Sequence, residues 1–137
     1  MNTGAVLTEM ATKVAAIIGA DIKPYRNPAR AREARHSPCV YLRNWRYRGD
    51  ASMGGRMCSV EAVFLVDETD TANAENRLYA VVSTGAGGHL EQIASIESDT
   101  GLWHSLGSVS AQIDDQHLLG QITYRAAIVQ LEFICDD

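Results

Sequence analysis

Apolar side chains recur at spacings of three and four along two stretches of the chain, which is the period of an amphipathic helix. In the first stretch they are Leu7, Met10, Val14, Ile17 and Ile18. Gly19 follows as a C-terminal stop, so the pattern predicts a helix from about Ala5 to Ile18. In the second they are Ala74, Leu78, Val81 and Val82. A run of capping and acidic residues precedes them, which predicts a helix from about Ala72 to Thr84.

Four segments rich in β-branched and aromatic residues predict two hairpins. The first joins residues 39–48 and 57–66 through a glycine-rich stretch, and this pairing places Arg43 opposite Glu61. The second joins 105–113 and 121–134 through the connection 114–120, which begins with four polar residues. The last strand is apolar on both parities, so either a bulge lies near Ile128 or both of its faces are covered. A neighbouring subunit is one source of such cover.

The order helix, hairpin, helix, hairpin predicts an α+β fold with a four-stranded antiparallel sheet and both helices on one face. Shorter helical turns also fit Ala29–Arg35 and part of 86–98. A length of 137 residues and an apolar content of 46% suit a single folded domain over residues 1–137.

Charge is distributed unevenly along the chain. The net charge is −5, yet nine of the twelve lysines and arginines lie between positions 23 and 56, where only Glu33 and Asp50 oppose them. This asymmetry indicates a partner of complementary charge, which can be a second copy of the chain. The acidic overall balance argues against a dedicated nucleic-acid binder.

The residues that carry chemistry form no familiar constellation. The three cysteines are isolated, the four histidines are far apart, and neither set has the spacing of a zinc site. His36 with Cys39 is the one conceivable nucleophile and base, but Pro38 and the start of a strand direct the thiol along the sheet. The sequence therefore predicts no enzyme, metal or cofactor. No signal peptide and no apolar run of about 18 residues is present, which predicts a soluble protein.

Several local sequences, in this order, resemble the tail terminator (tail completion) proteins of long-tailed bacteriophages. An N-terminal amphipathic helix is followed by a first strand after a loop, a strand that runs into a helix, and a long closing strand. The segments that carry the resemblance are Ser37–Leu42, Val60–Val66, Ala74–Val82 and Ile122–Phe133. Nearly the whole chain is covered in order and spacing.

The resemblance implies a ring, usually a hexamer, that caps the tail tube and joins it to the head–tail connector. Its partners would be further copies of the chain, the major tail tube protein, and a connector or stopper protein. Viral double-stranded DNA would pass through the lumen without sequence-specific binding. The location would be the tail or neck of the virion, reached from the host cytoplasm. The alternatives are another neck component, such as a head–tail stopper, and a small ligand-binding or catalytic α+β domain.

An arginine-rich stretch departs from the typical pattern of this family. It contains Arg26, Arg30, Arg32 and Arg35, whose planar side chains can each bind a carboxylate through two hydrogen bonds. We expect these arginines to contact acids across an interface, and the candidate acids are Asp67, Glu68, Asp70, Asp114 and Asp115. A neighbouring subunit, the tube protein and DNA all remain possible targets.

Overall fold

The computed structural model describes residues 2–34, 37–50, 55–67 and 72–135, apart from the side chains at 72, 108 and 109. These ranges contain four helices: α1 (Thr3–Ile18), α2 (Pro28–Ala34), α3 (Ala72–Val82) and α4 (Leu90–Ala94). They also contain five strands: β1 (Lys23–Tyr25), β2 (Cys39–Asp50), β3 (Arg56–Asp67), β4 (Trp103–Leu119) and β5 (Ile122–Cys135).

The strands form one mixed sheet in the order β1-β2-β3-β5-β4. β1 runs parallel to β2, the other neighbours are antiparallel, and an isolated bridge between Glu97 and His104 adds one further short strand. The α+β class is correct, but the expected four-stranded antiparallel sheet with two helices is wrong. β1 was missed because it has three residues, including Pro24, and too few positions to show an alternating pattern.

Helix α1 follows directly from its sequence. The side chain of Asn2 caps it by accepting the Ala5 N–H at 3.1 Å, and Gly19 ends it by donating to the carbonyl of Ala15 at 3.0 Å. Between these ends, Val6, Met10, Val14 and Ile18 fall on one buried face. The predicted helix was therefore right in type and C-terminal end, and it begins two residues earlier.

The two faces of the sheet have different covers. The first face packs against α1, α3 and α4, so the two predicted helices do share one face. The second face is covered by α2, whose buried residue is Ala31. The prediction that helices cover only one face is thus wrong. The error arises because one small apolar residue in a seven-residue helix produces no detectable stripe.

Strand β5 is buried on both faces within a single chain. Its pairing with β3 runs from Cys135 to Tyr124 without a register shift, so the first of the two alternatives, a bulge near Ile128, is not present in this pairing. Ala126 and Ile128 lie in the second-face core, whereas Ala127 and Val129 lie in the first-face core. Both faces of β5 are thus covered within the chain, so a neighbouring subunit is not needed to cover them.

The β4–β5 hairpin is longer than predicted. β4 continues through residues 114–119, which had been assigned to a loop, and a tight turn at Gly120 and Gln121 returns the chain into β5. Gly120 has φ +65°, the left-handed conformation that such turns favour. A register shift between Asp114 and His117 absorbs the polar residues, which is why a strand passes through a loop-like sequence.

β4 forms one outer edge of the sheet, and it is an irregular edge. Its pairing with β5 shifts register at three places, between Ser105 and Gly107, between Ser108 and Ser110, and between Asp114 and His117. Bulges and charged residues in an edge strand disfavour pairing with a strand of another molecule. Asp114 and Asp115 add charge to the same strand.

Glu9 ties α1 to the segment that leads into β4. Its carboxylate accepts hydrogen bonds from the indole N–H of Trp103 at 2.6 Å and the hydroxyl of Ser98 at 2.5 Å. Trp103 is only 1% exposed, so without Glu9 its N–H would lack this acceptor in a dry environment. We expect Glu9→Ala to lower the free energy of unfolding by about 1–3 kcal/mol. Chemical denaturation measures this, and Glu9→Gln, which keeps an accepting oxygen, should lose less.

Candidate assembly surface

Three of the four arginines expected at an interface lie between β1 and the end of α2. Arg26 is half-buried just after β1, and Arg30 and Arg32 are exposed on α2. Within the described ranges, none of the three forms an ion pair with a carboxylate. Arg35 lies outside the described residues. The structure thus places these three arginines close together in sequence before and along α2, and the expected interface contact stays a prediction.

The start of α2 explains why these arginines point outward. Asn27 caps the helix by accepting the Arg30 N–H at 2.9 Å, and Pro28 occupies the first helical position, where no N–H is needed. Ala31 turns toward the sheet, which leaves its neighbours Arg30 and Arg32 on the solvent side. The stem of Arg32 passes so close to Gly120 that a Cβ there would lie 2.9 Å from the Arg32 Cδ.

The expected acids are on other elements, and those that the structure describes interact with other residues of the chain. Asp115 Oδ1 accepts from Arg125 Nη2 at 2.9 Å and from Nε at 3.2 Å, and Arg125 also lies 3.5 Å from Glu75. Asp114 bonds to His117, as described below. Asp67 is the last residue of β3, while Glu68 and Asp70 lie outside the described residues. Asp114 and Asp115 are therefore neighbours on β4, and neither is paired with Arg26, Arg30 or Arg32.

A buried chain of hydrogen bonds links β2 to β4 over the second face of the sheet. The hydroxyl of Tyr41 lies 2.6 Å from His117 Nε2, and His117 Nδ1 lies 2.9 Å from Asp114 Oδ2. Tyr41 and His117 are 1% and 4% exposed. Because β3 and β5 separate the two strands in the sheet, this contact shows that the sheet curls over its second face.

The protonation of this chain suits a structural role. Burial is the largest influence on Tyr41 and raises its pKa to about 12, although nearby Arg43 acts in the opposite direction. The phenol is consequently protonated at neutral pH and available as a hydrogen-bond donor rather than as a base. Sequence reasoning missed the chain because Tyr41 and His117 are 76 positions apart.

Asp114 makes the stability of this contact dependent on pH. The hydrogen bond from His117 is the main reason that the pKa of the Asp114 carboxyl is lower than its usual value. A carboxylate whose pKa is lower in the folded state stabilises the fold at pH values above its unfolded-state pKa of about 3.9. That contribution is lost as the pH falls through the lower folded-state pKa.

We therefore expect Asp114→Asn to be less stable than the unmodified protein near pH 6, with the difference shrinking as the pH falls below about 4. Urea midpoints measured across this range give the comparison. A difference that is constant with pH would contradict the assignment.

The cysteine thiols are placed for packing. Burial raises the pKa of Cys39 to about 12 and also raises the pKa of Cys58. A thiol with such a pKa holds almost no thiolate at neutral pH, and the thiolate is the reactive form. Cys39 therefore acts as a small buried hydrophobe, as its apolar neighbours in sequence indicated. His36, the base considered for it, lies outside the described residues.

A small pocket opens between α1, β2 and the segment before α2. It has a volume of about 150 Å³, and we call it the Trp45 pocket. Its lining consists of Leu7, Arg26, Asn27, Pro28, Leu42, Arg43, Asn44, Trp45 and Val60. A bulge in β2 between Arg43 and Arg46 shapes one wall, and Asn44 adopts the left-handed φ of 57° there.

The polar rim of the Trp45 pocket is held in place by Glu61. Its Oε1 accepts from Arg43 Nε and from Asn44 Nδ2, both at 2.8 Å. The predicted cross-strand pair of Arg43 and Glu61 is therefore confirmed. Trp45 packs on Phe133 with ring centroids 5.0 Å apart, and this contact holds the Trp45 side of the pocket in place.

Comparison with known proteins adds no relative: no family model and no characterised protein matches this sequence. Among the described side chains, no group of three or more histidine, cysteine or acidic residues could hold a metal ion. The helices in the same ranges lack the combination of length and apolar character needed to cross a bilayer.

Proposed function

We propose that this protein is a structural subunit that joins copies of itself into a closed ring, in the manner of phage tail terminators. The observation that supports this most strongly is the position of charge in the sheet. β2 carries three arginines and one aspartate, whereas β4 carries two aspartates and neither lysine nor arginine. The strand order places β2 and β4 on opposite sides of β3 and β5.

A subunit that carries unlike charges on two different strands favours contact between unlike surfaces. Such a head-to-tail interface closes into a ring when the rotation between neighbours divides a full turn. Within the described ranges Arg26, Arg30 and Arg32 form no ion pair with a carboxylate, which supports the proposal because such arginines are available to a carboxylate on a neighbour. The main exposed candidate is Asp115, which is 70% exposed and uses one oxygen for Arg125.

The proposed setting is the neck of a long-tailed virion, reached from the host cytoplasm. The ring would sit on the tail tube protein, meet a connector or stopper protein, and let double-stranded DNA pass through its lumen. The resemblance of the chain to tail terminators carries this part of the proposal. A head–tail stopper is the nearest alternative, since it would share the ring and differ only in its neighbours.

Sedimentation over a range of protein concentrations tests self-association. We expect a concentration-dependent oligomer that weakens between about 0.05 M and about 0.5 M salt, because charged contacts are screened. Electron microscopy with purified tail tubes then distinguishes a terminator, which binds the tube end, from a stopper, which does not. A protein that stays monomeric and is absent from tails contradicts the proposal.

A further inference from the structure

The tip of the β4–β5 hairpin presents apolar side chains to solvent. Leu118 is 65% exposed and Ile122 is 44% exposed. β3 ends opposite Tyr124, so within the described ranges the tip extends beyond that strand. The ladder pairs Leu118 with Thr123 and Leu119 with Ile122, which fixes the tip in one conformation. A rigid apolar projection is suited to insertion into a pocket, because little order is lost on binding.

The Trp45 pocket has the size and lining for such a side chain. The half-buried Leu7 and Trp45 provide apolar surface around a volume of about 150 Å³, with the buried Leu42 and Val60 beneath them. A cavity of about that volume with an apolar lining holds benzene, which is larger than the isobutyl group of leucine. An aromatic residue in a concave, partly dry site is also the usual centre of a strong protein contact.

Charge complements shape at the edges of both surfaces. Arg26 and Arg43 line the pocket, and Arg26 makes no ion pair among the described residues. Asp115 precedes Leu118 by three residues, which is at most about 10 Å along a strand that has a register shift between Asp114 and His117. A hairpin that places Leu118 in the pocket therefore brings a carboxylate toward the arginines at the rim.

We propose that Leu118 of one copy inserts into the Trp45 pocket of the next copy, with Asp115 facing Arg26. This contact rests on the ring-forming function proposed above and specifies its two surfaces. The pocket lies beside β2 and the hairpin belongs to β4 and β5, so the two surfaces are different and each copy offers one of each. Every copy can therefore bind two neighbours, as a ring requires.

The first test replaces the projecting leucine. Leu118→Ser should weaken self-association at least tenfold in sedimentation, because loss of a buried anchor commonly costs that much. Leu106→Ser is the matched control, since Leu106 lies on the same strand, is 47% exposed, and belongs to neither surface. Unchanged association for Leu118→Ser, in a preparation where the unmodified protein assembles, overturns the contact and leaves the ring proposal standing.

The second test uses two damaged copies together. Leu118→Ser removes the projection, and Arg26→Glu places an acid at the pocket rim. Each variant alone should associate at least tenfold more weakly than the unmodified protein, but the mixture should form one-to-one dimers, because one copy keeps an intact pocket and the other an intact hairpin. Mixtures that remain monomeric, while the unmodified protein assembles, overturn the pairing. If the unmodified protein itself stays monomeric, the ring proposal fails and this contact fails with it.

Discussion

Replacing Arg26, Arg30 and Arg32 together with alanine should weaken self-association by about a hundredfold or more without unfolding the subunit. A partly buried arginine contact is worth about 2 kcal/mol or more, and a rim-exposed one under about 1 kcal/mol. Arg26 is half-buried and the other two are exposed. Added together, the free energies of the three contacts correspond to the change of about a hundredfold in association. The melting temperature should change little, because none of the three has a carboxylate partner in the described part of the chain.

Arg77→Ala provides the opposite control. Arg77 binds Asp21 within the chain through two bonds of 2.9 and 2.8 Å, and its guanidinium lies over the ring of Phe64. Its loss should lower the melting temperature and leave association unchanged. Three outcomes separate the roles of the triple variant. Normal assembly refutes the interface role, a collapsed melting temperature places the arginines in the fold, and normal assembly with defective DNA retention in tails supports contact with DNA.

Phe133→Ala should cause the largest loss of stability, about 3–5 kcal/mol. Phe133 is 1% exposed, and its ring contacts Trp45 at 5.0 Å and Trp103 at 6.5 Å between centroids. Truncation to alanine would leave a cavity between the rings of Trp45 and Trp103, and alanine is too short to fill it. A domain of this size has about 5–15 kcal/mol of stability in total, so a substantial part of it depends on this residue.

Urea denaturation monitored by tryptophan fluorescence measures this loss. Ile134→Ala is the matched control, because Ile134 is the next residue on β5, points to the other face and is only half-buried. It should lose clearly less than Phe133→Ala. Equal losses would mean that the aromatic cluster adds nothing beyond general burial.

The parts of the fold with strong local patterns were predictable from sequence. Helix α1, helix α3 and the register of Arg43 with Glu61 all depend on residues close together in the chain or joined by a short hairpin. β1 and α2 were not predictable as parts of the sheet and its cover. β1 pairs in parallel with β2 across a helix, and its three residues are too few to show a strand pattern. Helix α2 buries only Ala31, so its sequence shows no helical period of apolar residues.

The candidate surface was predictable to a smaller extent. A basic, proline-containing segment indicated an arginine-rich connection, and the structure places Arg30 and Arg32 at the surface and Arg26 half-buried. The internal partners of Asp114 and Asp115 were not foreseen, because they depend on a bulge that turns His117 inward and on the approach of Arg125 along β5. The Trp45 pocket likewise depends on the bulge in β2, which no sequence period reveals.

The irregular edge of β4 has a consequence for the fidelity of assembly. Strand pairing between molecules would hold a misplaced copy through many backbone hydrogen bonds, so errors would be slow to correct. In the ring proposed above, the bulges and aspartates of β4 would oppose such pairing and leave side-chain contacts to join the copies. Contacts of this kind are weaker and more readily reversed. A wrongly placed copy would therefore dissociate and bind again, and free copies would not pair edge to edge into larger sheets.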